Sequence, residues 1–261
     1  MRCLRFLAVP LLAVLGGFLV AGGPNAANAA GCTARPSPAL SMPAGVKALR
    51  EGQPLRILAI GSSTTAGVGA SSGDTNYPSQ LAHRLTAALG EGRVAMVNAG
   101  VSGETGPSTL ARLKSLVQTQ PAPQLVLWQV GTNDVIFGGD PTRLRATVAD
   151  GLAAIAASGA AVVVIDQQYF PGINDLARYE AFVAAVNAAA SARGVPLLRR
   201  YAMMKQWAAE DPKGFRGTLS WDSFHMNDAG YACLAEALAP AIIAAAKQGG
   251  GGGTASAKPA R

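Results

Sequence analysis

The sequence predicts an α/β fold, a three-layer α/β/α sandwich built on a mostly parallel five-stranded sheet. Short apolar runs rich in Val, Ile and Leu alternate with longer amphipathic or alanine-rich segments, and this alternation is typical of such folds. The runs are apolar throughout, as strands are when helices cover both faces of a parallel sheet. With 261 residues, 49% of them hydrophobic, the chain is long enough for one well-packed domain.

Five runs predict strands, and five longer segments predict helices between and after them. The predicted strands are Leu55–Ile60, Val94–Val97, Leu125–Val130, Ala161–Ile165 and Val195–Leu198. The predicted helices are Pro78–Leu89, Pro107–Val117, Pro141–Ser158, Asp175–Arg193 and Asp228–Ala246. Three of these helices begin at proline, whose missing N–H has no partner in the first turn anyway. Gly159 and Gly194 follow two of the helices and suit helix ends.

Residues 1–30 predict a secretory signal peptide. Arg2 and Arg5 precede an apolar run over residues 6–20, and small residues up to Ala30 provide an Ala-x-Ala cleavage site. The apolar run is short for a bilayer span. We therefore expect an exported protein, periplasmic or secreted, with no transmembrane span in the mature chain.

The remaining chain divides into three parts. Residues 31–54 carry four prolines without a clear periodicity and predict a linker. Residues 55–247 hold all the predicted strands and helices and form the domain. Residues 248–261 are glycine-rich and of low complexity, which predicts a flexible tail.

Cleavage of the leader leaves two cysteines, Cys32 and Cys233, for which three states are open. The segment Ala29-Ala30-Gly31-Cys32 resembles a lipoprotein cleavage box, which predicts a lipid anchor at Cys32. An ordinary cleavage leaves Cys32 unmodified in a flexible segment, and a Cys32–Cys233 disulfide is the third state in an oxidising compartment. The alanine-rich helical surroundings of Cys233 favour a small core residue.

Charge and motif patterns argue against several classes of ligand. The net charge is +7, but the basic residues are scattered, and Arg199-Arg200 is the only adjacent pair. This pattern predicts no nucleic-acid partner. Neither a cluster with metal-ligand spacing nor a Gly-x-Gly-x-x-Gly turn after the first strand is present, so we expect no metal and no dinucleotide cofactor.

Four polar clusters follow predicted strands or precede the last helix. They are residues 61–63, 98–105, 131–134 and 222–225. The carboxyl ends of parallel strands are where such folds bind their ligands. A serine there needs a base within hydrogen-bond reach, and the chain has only two histidines. His83 lies out of phase with neighbouring leucines and is expected to face solvent, so His225, three residues after Asp222, is the candidate base.

These four clusters, in this order across residues 57–231, resemble the conserved blocks of the SGNH hydrolases, also called GDSL-type esterases and lipases. The resemblance implies a flavodoxin-like SGNH hydrolase fold. It places Ser63 as the nucleophile, His225 as the general base and Asp222 as its orienting partner. It also places Gly103, Asn133 and the backbone N–H of Ser63 in an oxyanion hole.

The first block departs from the family pattern. It usually reads Gly-Asp-Ser, whereas Ser62 stands in place of the aspartate here. A hydroxyl can still form local hydrogen bonds but carries no charge, so the departure concerns the positioning of the loop. Ser62 is also the rival nucleophile beside Ser63.

Four further residues are candidates for substrate contact. Gln167 and Gln168 follow the fourth predicted strand, where they either contact substrate or satisfy loop backbone groups. Trp221 and Phe224 flank the Asp–His pair and are expected to wall the pocket or shield the imidazole.

The predicted function is that of an exported serine hydrolase. It would cleave carboxylic esters or thioesters through an acyl-serine intermediate, without a cofactor, and its substrate would be a small-molecule, glycan or lipid ester. Three alternatives stay open: acyl transfer at the same site, carbohydrate deacetylation at the same site, and a non-catalytic glycan- or lipid-binding envelope protein on the same scaffold.

Overall fold

A computed structural model describes residues 39–248 and places a five-stranded sheet at the centre of the domain. The strands are β1 (Leu55–Gly61), β2 (Val94–Gly100), β3 (Leu125–Gln129), β4 (Ala161–Ile165) and β5 (Leu197–Leu198). All neighbouring strands are parallel, in the order β2-β1-β3-β4-β5. The predicted α/β sandwich with five strands is confirmed.

Ten helices precede, connect or follow these strands within residues 39–248. They are α1 (Pro43–Arg50), α2 (Ser63–Ala66), α3 (Tyr77–Leu89), α4 (Gly106–Leu116), α5 (Thr132–Ile136), α6 (Pro141–Ser158), α7 (Leu176–Ala192), α8 (Arg200–Glu210), α9 (Pro212–Arg216) and α10 (Asp228–Lys247). Five of them match the predicted helices within one residue at each end.

The strand order places the ends of β1 and β3 side by side. After β1 the chain forms β2 on one side, then crosses to form β3 on the other, so that Ile60 pairs with both Ala99 and Trp128. Where the strand order changes direction in this way, a crevice forms beyond the carboxyl ends of the strands. The loops that follow β1 and β3 therefore meet at one edge.

Alternate residues of the strands belong to two hydrophobic cores, one on each face of the sheet. On β1, Ile57 and Ala59 pack with α1, α3, α8 and α10, whereas Leu58 and Ile60 pack with α4, α6 and α7. This period of two is the side-chain alternation of a strand covered on both faces. Cys233 is fully buried in the first core, in agreement with a small core residue.

Helix α10 is the one helix of residues 39–248 long and apolar enough to cross a membrane. It carries Leu234, Leu238 and Ile242 into the first core, where each is at most 1% exposed. Its apolar composition is therefore explained by packing inside the domain.

The predicted linker is wrong for residues 39–54. Helix α1 begins at Pro43, and Leu40, Met42 and Leu49 are buried in the first core. A short amphipathic helix flanked by prolines shows too few turns for its period to stand out in the sequence. The predicted signal peptide and tail, apart from Gln248, and residue Cys32 lie outside the described residues.

Two strand predictions also need correction. β2 is an edge strand with one strand neighbour, so its residues are partly buried or exposed, including Val97 at 57%. Helix α3 packs with it. β5 is reduced to two residues. Helices α2, α5, α8 and α9 were not predicted; three of them are only four or five residues long.

We expect the substitution Leu49→Ala to lower the free energy of unfolding by about 2 kcal/mol, because it removes buried methyl groups between α1 and the core. Denaturant unfolding measures this change. Lys47→Ala on the exposed face of the same helix is the control and should change the value by less than about 0.5 kcal/mol. Equal effects of both variants would contradict the packing of α1 on the domain.

Candidate active site

Ser63, His225 and Asp222 form one continuous chain of hydrogen bonds. Ser63 opens α2 directly after β1, and its Oγ lies 2.9 Å from His225 Nε2. On the other side of the ring, His225 Nδ1 lies 2.5 Å from Asp222 Oδ2. Because an ionised carboxylate can only accept, Nδ1 carries the hydrogen and Nε2 of the neutral ring accepts from the serine. The arrangement can therefore transfer a proton from Ser63 to His225.

The turn before α10 holds Asp222 in place. Its Oδ1 accepts from the backbone N–H groups of Phe224, at 3.0 Å, and His225, at 2.9 Å. Burial acts to raise the pKa of Asp222, but the hydrogen bonds from the His225 ring and from these two N–H groups outweigh it and hold the pKa below its usual value. Ser223 adopts a φ of 54°, which lets the turn close. The ring of His225 thus faces an ionised carboxylate of fixed orientation.

The loop that carries Ser63 is held by Gln129, the last residue of β3. Gln129 Oε1 accepts from Ser62 N at 2.9 Å, from Ser62 Oγ at 3.2 Å and from Thr65 Oγ1 at 3.2 Å. Gly61 allows this approach, since a Cβ there would lie 2.6 Å from the same oxygen. The Ser62 hydroxyl is engaged by Gln129 and His225 contacts Ser63, so the geometry favours Ser63 over Ser62 as the nucleophile.

Gln129 was not predicted as a site residue. The sequence does show one sign of its role, a polar side chain at the end of an otherwise apolar strand, Leu125–Gln129. The carboxamide is buried in the fold, and buried polar groups need hydrogen-bond partners. The sequence alone does not say that those partners lie on the loop after β1.

The candidate oxyanion-hole residues Gly103 and Asn133 lie on segments that are joined by a hydrogen bond. Asn133 Nδ2 donates to the carbonyl of Glu104 at 2.8 Å, next to Gly103. An amide nitrogen has two hydrogens, so one donor of Asn133 stays available. Gly103 has a φ of +83° and open space around the Cα, a conformation that glycine adopts without strain. Ser63 is the first residue of α2, where the N–H has no acceptor within the helix.

Asp134, on α5, connects the same two segments through a second contact. Both of its carboxylate oxygens accept from the N–H of Gly106 at the start of α4, at 3.0 and 2.9 Å. Burial raises the pKa of Asp134, and the hydrogen bond from Gly106 offsets part of that rise. The carboxylate acts as a cap for α4 and links the start of α4, shortly after Gly103, to α5, the helix that carries Asn133.

Gln167 and Gln168 are buried, with 0% and 1% of each residue exposed. Gln168 Nε2 donates to the carbonyl of Phe224 at 2.9 Å, and its Oε1 accepts from Thr64 Oγ1 at 3.3 Å. Gln167 packs against Gly131, where an added Cβ would lie 2.4 Å from Nε2. The chain after β4 thus folds beneath the site, and neither side chain reaches its surface in this structure; their contact with substrate stays a prediction.

Arg200 continues this buried connection and was not predicted. It is fully buried; its Nη1 donates to Thr64 Oγ1 and its Nε to the carbonyl of Asp166, each at 3.1 Å. Burial raises the pKa of Asp166 to about 6, against the opposing effects of the Tyr201 N–H and the Arg200 charge. In the sequence, Arg200 was part of a basic pair with no assigned role. In the fold it lies beneath the residue that follows Ser63.

Phe224 and Trp221 occupy different environments. The ring of Phe224 lies 4.7 Å from that of His225 and 4.8 Å from that of Phe170, both edge to face. Phe224 also borders a cavity of about 630 Å³ whose wall includes Ile136 and Tyr179. Trp221, beside Asp222, is 94% exposed. Phe224 is thus the aromatic neighbour of the imidazole, whereas Trp221 projects into solvent.

Among residues 39–248, no group of three or more His, Cys, Asp or Glu side chains is placed to hold a metal ion.

Comparison with known proteins places this geometry in context. Residues 31–248 match the sequence profile of the Non-GDSL lipase-like family. The chain is 29% identical to Esterase TesA of Pseudomonas aeruginosa over 170 residues, which cover 65% of this chain and 78% of that protein. It is 33% identical to an arylesterase of Vibrio mimicus over 111 residues, or 42% of this chain and 53% of that protein.

The fold is similar to that of solved structures. The crystal structure of AlinE4, an SGNH-hydrolase family esterase, superposes with a TM-score of 0.53 and 24% identity. The match covers 62% of this chain and 82% of that one. This likeness confirms the predicted SGNH hydrolase fold.

We expect Gln129→Leu to lower the rate of ester hydrolysis by about tenfold to a hundredfold, because the loop that carries Ser63 loses its shared acceptor. The same change should lower the free energy of unfolding by about 1–3 kcal/mol. Ester hydrolysis assays and denaturant unfolding measure both effects.

Gln124→Leu is the matched control. Gln124 Oε1 accepts from the backbone N–H of Arg56, at the opposite end of the sheet, so this variant should lose stability while the folded protein keeps its rate. Equal rates for the two variants would contradict the positioning role of Gln129.

Proposed function

Because the chain belongs to the Non-GDSL lipase-like family, among the GDSL/SGNH-like esterases, we propose that it is a serine esterase that hydrolyses carboxylic esters through an acyl-serine intermediate. The observation that carries the proposal is the hydrogen-bonded chain from Ser63 Oγ through His225 to Asp222. A serine hydroxyl is a weak nucleophile unless a positioned base removes its proton. Names of two relatives, an esterase and an arylesterase, support an ester substrate.

The reaction begins when Ser63 Oγ attacks the ester carbonyl and His225 Nε2 takes its proton. The tetrahedral intermediate collapses, the bond to the alcohol breaks, and His225 returns the proton to the leaving oxygen. Water, whose proton His225 Nε2 takes, then attacks the acyl-serine; the bond between the acyl carbon and Ser63 Oγ breaks, the acid is released, and the imidazole returns the proton to Ser63 Oγ. A thioester would follow the same course with a thiol as the leaving group. Asp222 stays ionised and stabilises the imidazolium at both stages.

The oxyanion of each intermediate is assigned to three donors. The backbone N–H groups of Ser63 and Gly103 and the side-chain amide of Asn133 take this role. Loss of one such donor typically costs about 3–4 kcal/mol of transition-state stabilisation. The bond from Asn133 to the carbonyl of Glu104 supports the assignment, since it holds the amide beside the Gly103 loop before substrate binds.

The cavity beside Phe224 supports an apolar substituent on the ester. Val135, Ile136, Phe170 and Phe224 contribute to its wall, and the ring of Phe224 also contacts His225. A substituent in this space would exchange water for apolar surface, which favours binding.

We expect Ser63→Ala and His225→Ala each to abolish hydrolysis of a short-chain p-nitrophenyl ester, since each removes a partner in the proton transfer. A fluorophosphonate probe should label the unmodified protein at Ser63 and leave Ser63→Ala unlabelled, as mass spectrometry of the labelled peptide would report. Ser62→Ala is the matched control and should still be labelled. Full activity of the Ser63→Ala variant, with unfolding unchanged, would exclude the assignment.

Export is a proposal that rests on the sequence of residues 1–30, with its basic start, apolar run and small-residue cleavage site. Expression of the full chain in a Gram-negative bacterium should yield a periplasmic or secreted product whose intact mass lacks the leader. An acylated Cys32 would add the mass of its lipid. A full-length product confined to the cytosol would contradict export.

A further inference from the structure

Exposed apolar side chains concentrate at the edge of the sheet that carries Ser63. Seven large apolar residues among residues 39–248 are exposed, and six of them lie in or beside the loops and short helices beyond the carboxyl ends of the strands. We call these six the apolar rim: Val68, Val101, Ile136, Phe137, Leu176 and Trp221. Their exposed fractions range from 38% for Val68 to 94% for Trp221. Exposed apolar residues that gather at one edge of a domain are a candidate interaction surface.

The residues of the apolar rim lie on segments that carry or adjoin the candidate site. Val68 follows the helix that carries Ser63, Val101 comes two residues before Gly103, and Trp221 precedes Asp222. Phe137 ends the helix that carries Asn133, and Leu176 opens α7 beside the cavity wall.

The rim is fixed to the domain at several points. Tyr231 donates its hydroxyl hydrogen to the carbonyl of Val68 at 2.6 Å, and Asp228 accepts from Ser71 N and Oγ at 2.8 and 2.6 Å. Arg178 donates to the carbonyl of Gly139, two residues after Phe137. A surface held in this way needs little ordering when it binds, which lowers the entropic cost of association.

The charged residues near the apolar rim indicate which type of surface it can bind. The segments 67–76, 101–105, 137–140, 166–175 and 217–227 contain no lysine or arginine, and Arg178, two residues after Leu176, lines the cavity and donates to the carbonyl of Gly139. Their acidic residues include Asp140 and Asp175, whose carboxylates cap α6 and α7. The basic Arg112 is paired with Glu104. Acidic residues outnumber basic ones along these segments, so the face favours an uncharged apolar surface over an anionic one.

We propose that the apolar rim docks the enzyme on the uncharged surface of an aggregated ester, such as an emulsion droplet or a neutral micelle. The inference rests on the proposed esterase function and adds the physical state of the substrate. The apolar rim is continuous with the cavity, which supports the inference: Ile136 belongs both to the rim and to the wall of the cavity that reaches Phe224, beside His225. An ester leaving the aggregate would pass from one apolar surface to another without full hydration.

Trp221 allows docking to be observed without catalysis. The chain has three tryptophans, and Trp128 and Trp207 are 0% and 3% exposed, so only the emission of Trp221 should respond to an external surface. Ser63→Ala protein mixed with phosphatidylcholine vesicles should show a blue shift, which Trp221→Phe should remove. Phosphatidylglycerol vesicles should give a smaller shift at low salt. Docking by the Ser63→Ala variant separates this inference from the chemistry of Ser63.

Rates on two physical forms of substrate provide the second test. The double variant Phe137→Ser/Leu176→Ser should hydrolyse emulsified tributyrin about tenfold more slowly, because it removes apolar contact with the droplet. Its rate on dissolved p-nitrophenyl acetate should stay unchanged. Val97→Ser is the matched control, since Val97 is 57% exposed on β2, away from the rim, and it should change neither rate.

Several outcomes would overturn the inference. One is that vesicles do not change the emission of Trp221. Others are that the double variant loses the same fraction of its rate on both substrates, or that Val97→Ser loses as much rate on emulsified tributyrin as the double variant. A fourth is a dimer that light scattering detects in the unmodified protein and that the double variant abolishes, because the rim would then bind a second copy. If no ester is hydrolysed but the vesicle shift occurs, the esterase proposal fails and the docking surface stands.

Discussion

The site depends on one buried carboxamide oxygen between two strands. Gln129 Oε1, at the end of β3, accepts three hydrogen bonds from Ser62 and Thr65 on either side of the nucleophile. The contact exists because β1 and β3 are parallel neighbours whose carboxyl ends meet. In the usual first block of GDSL-type enzymes an aspartate stands where this chain has Ser62. Here the neutral serine and an acceptor from the adjacent strand hold the loop together.

A second buried connection joins the nucleophile to its base across 162 residues of sequence. Arg200 donates to Thr64, Thr64 donates to Gln168, and Gln168 donates to the carbonyl of Phe224, next to His225. Within this connection Thr64 and Gln168 each donate one hydrogen bond and accept another, and linked hydrogen bonds between buried groups fix geometry more specifically than apolar contacts do. The loops of Ser63 and His225 are therefore positioned from below by buried residues. The exposed rim above them is left free for contact with a partner.

The sequence allowed much of the fold and the central site to be predicted. Apolar runs and proline or glycine boundaries located the five strands and five of the helices, since helical and extended periods are local properties, whereas the 11-residue α8 was missed. Asp222 and His225 are three residues apart, so one turn suffices to bring them together. Helix α1 was missed because eight residues beside prolines show little periodicity. Gln167 and Gln168 were assigned to substrate because strand-end position predicts proximity to a site but not burial.

In this protein, some features follow from the sequence alone and others only from the tertiary structure. The sequence by itself determined the alternation of strands and helices, the candidate nucleophile and the candidate base, because hydropathy period and motif order are written along the chain. Tertiary structure decided which polar side chains support the nucleophile, because Gln129 and Arg200 acquire their partners only when distant segments become neighbours. It also decided that six apolar residues from separate loops lie at the edge that carries Ser63. Exposure is a property of the folded surface, and no local pattern specifies it.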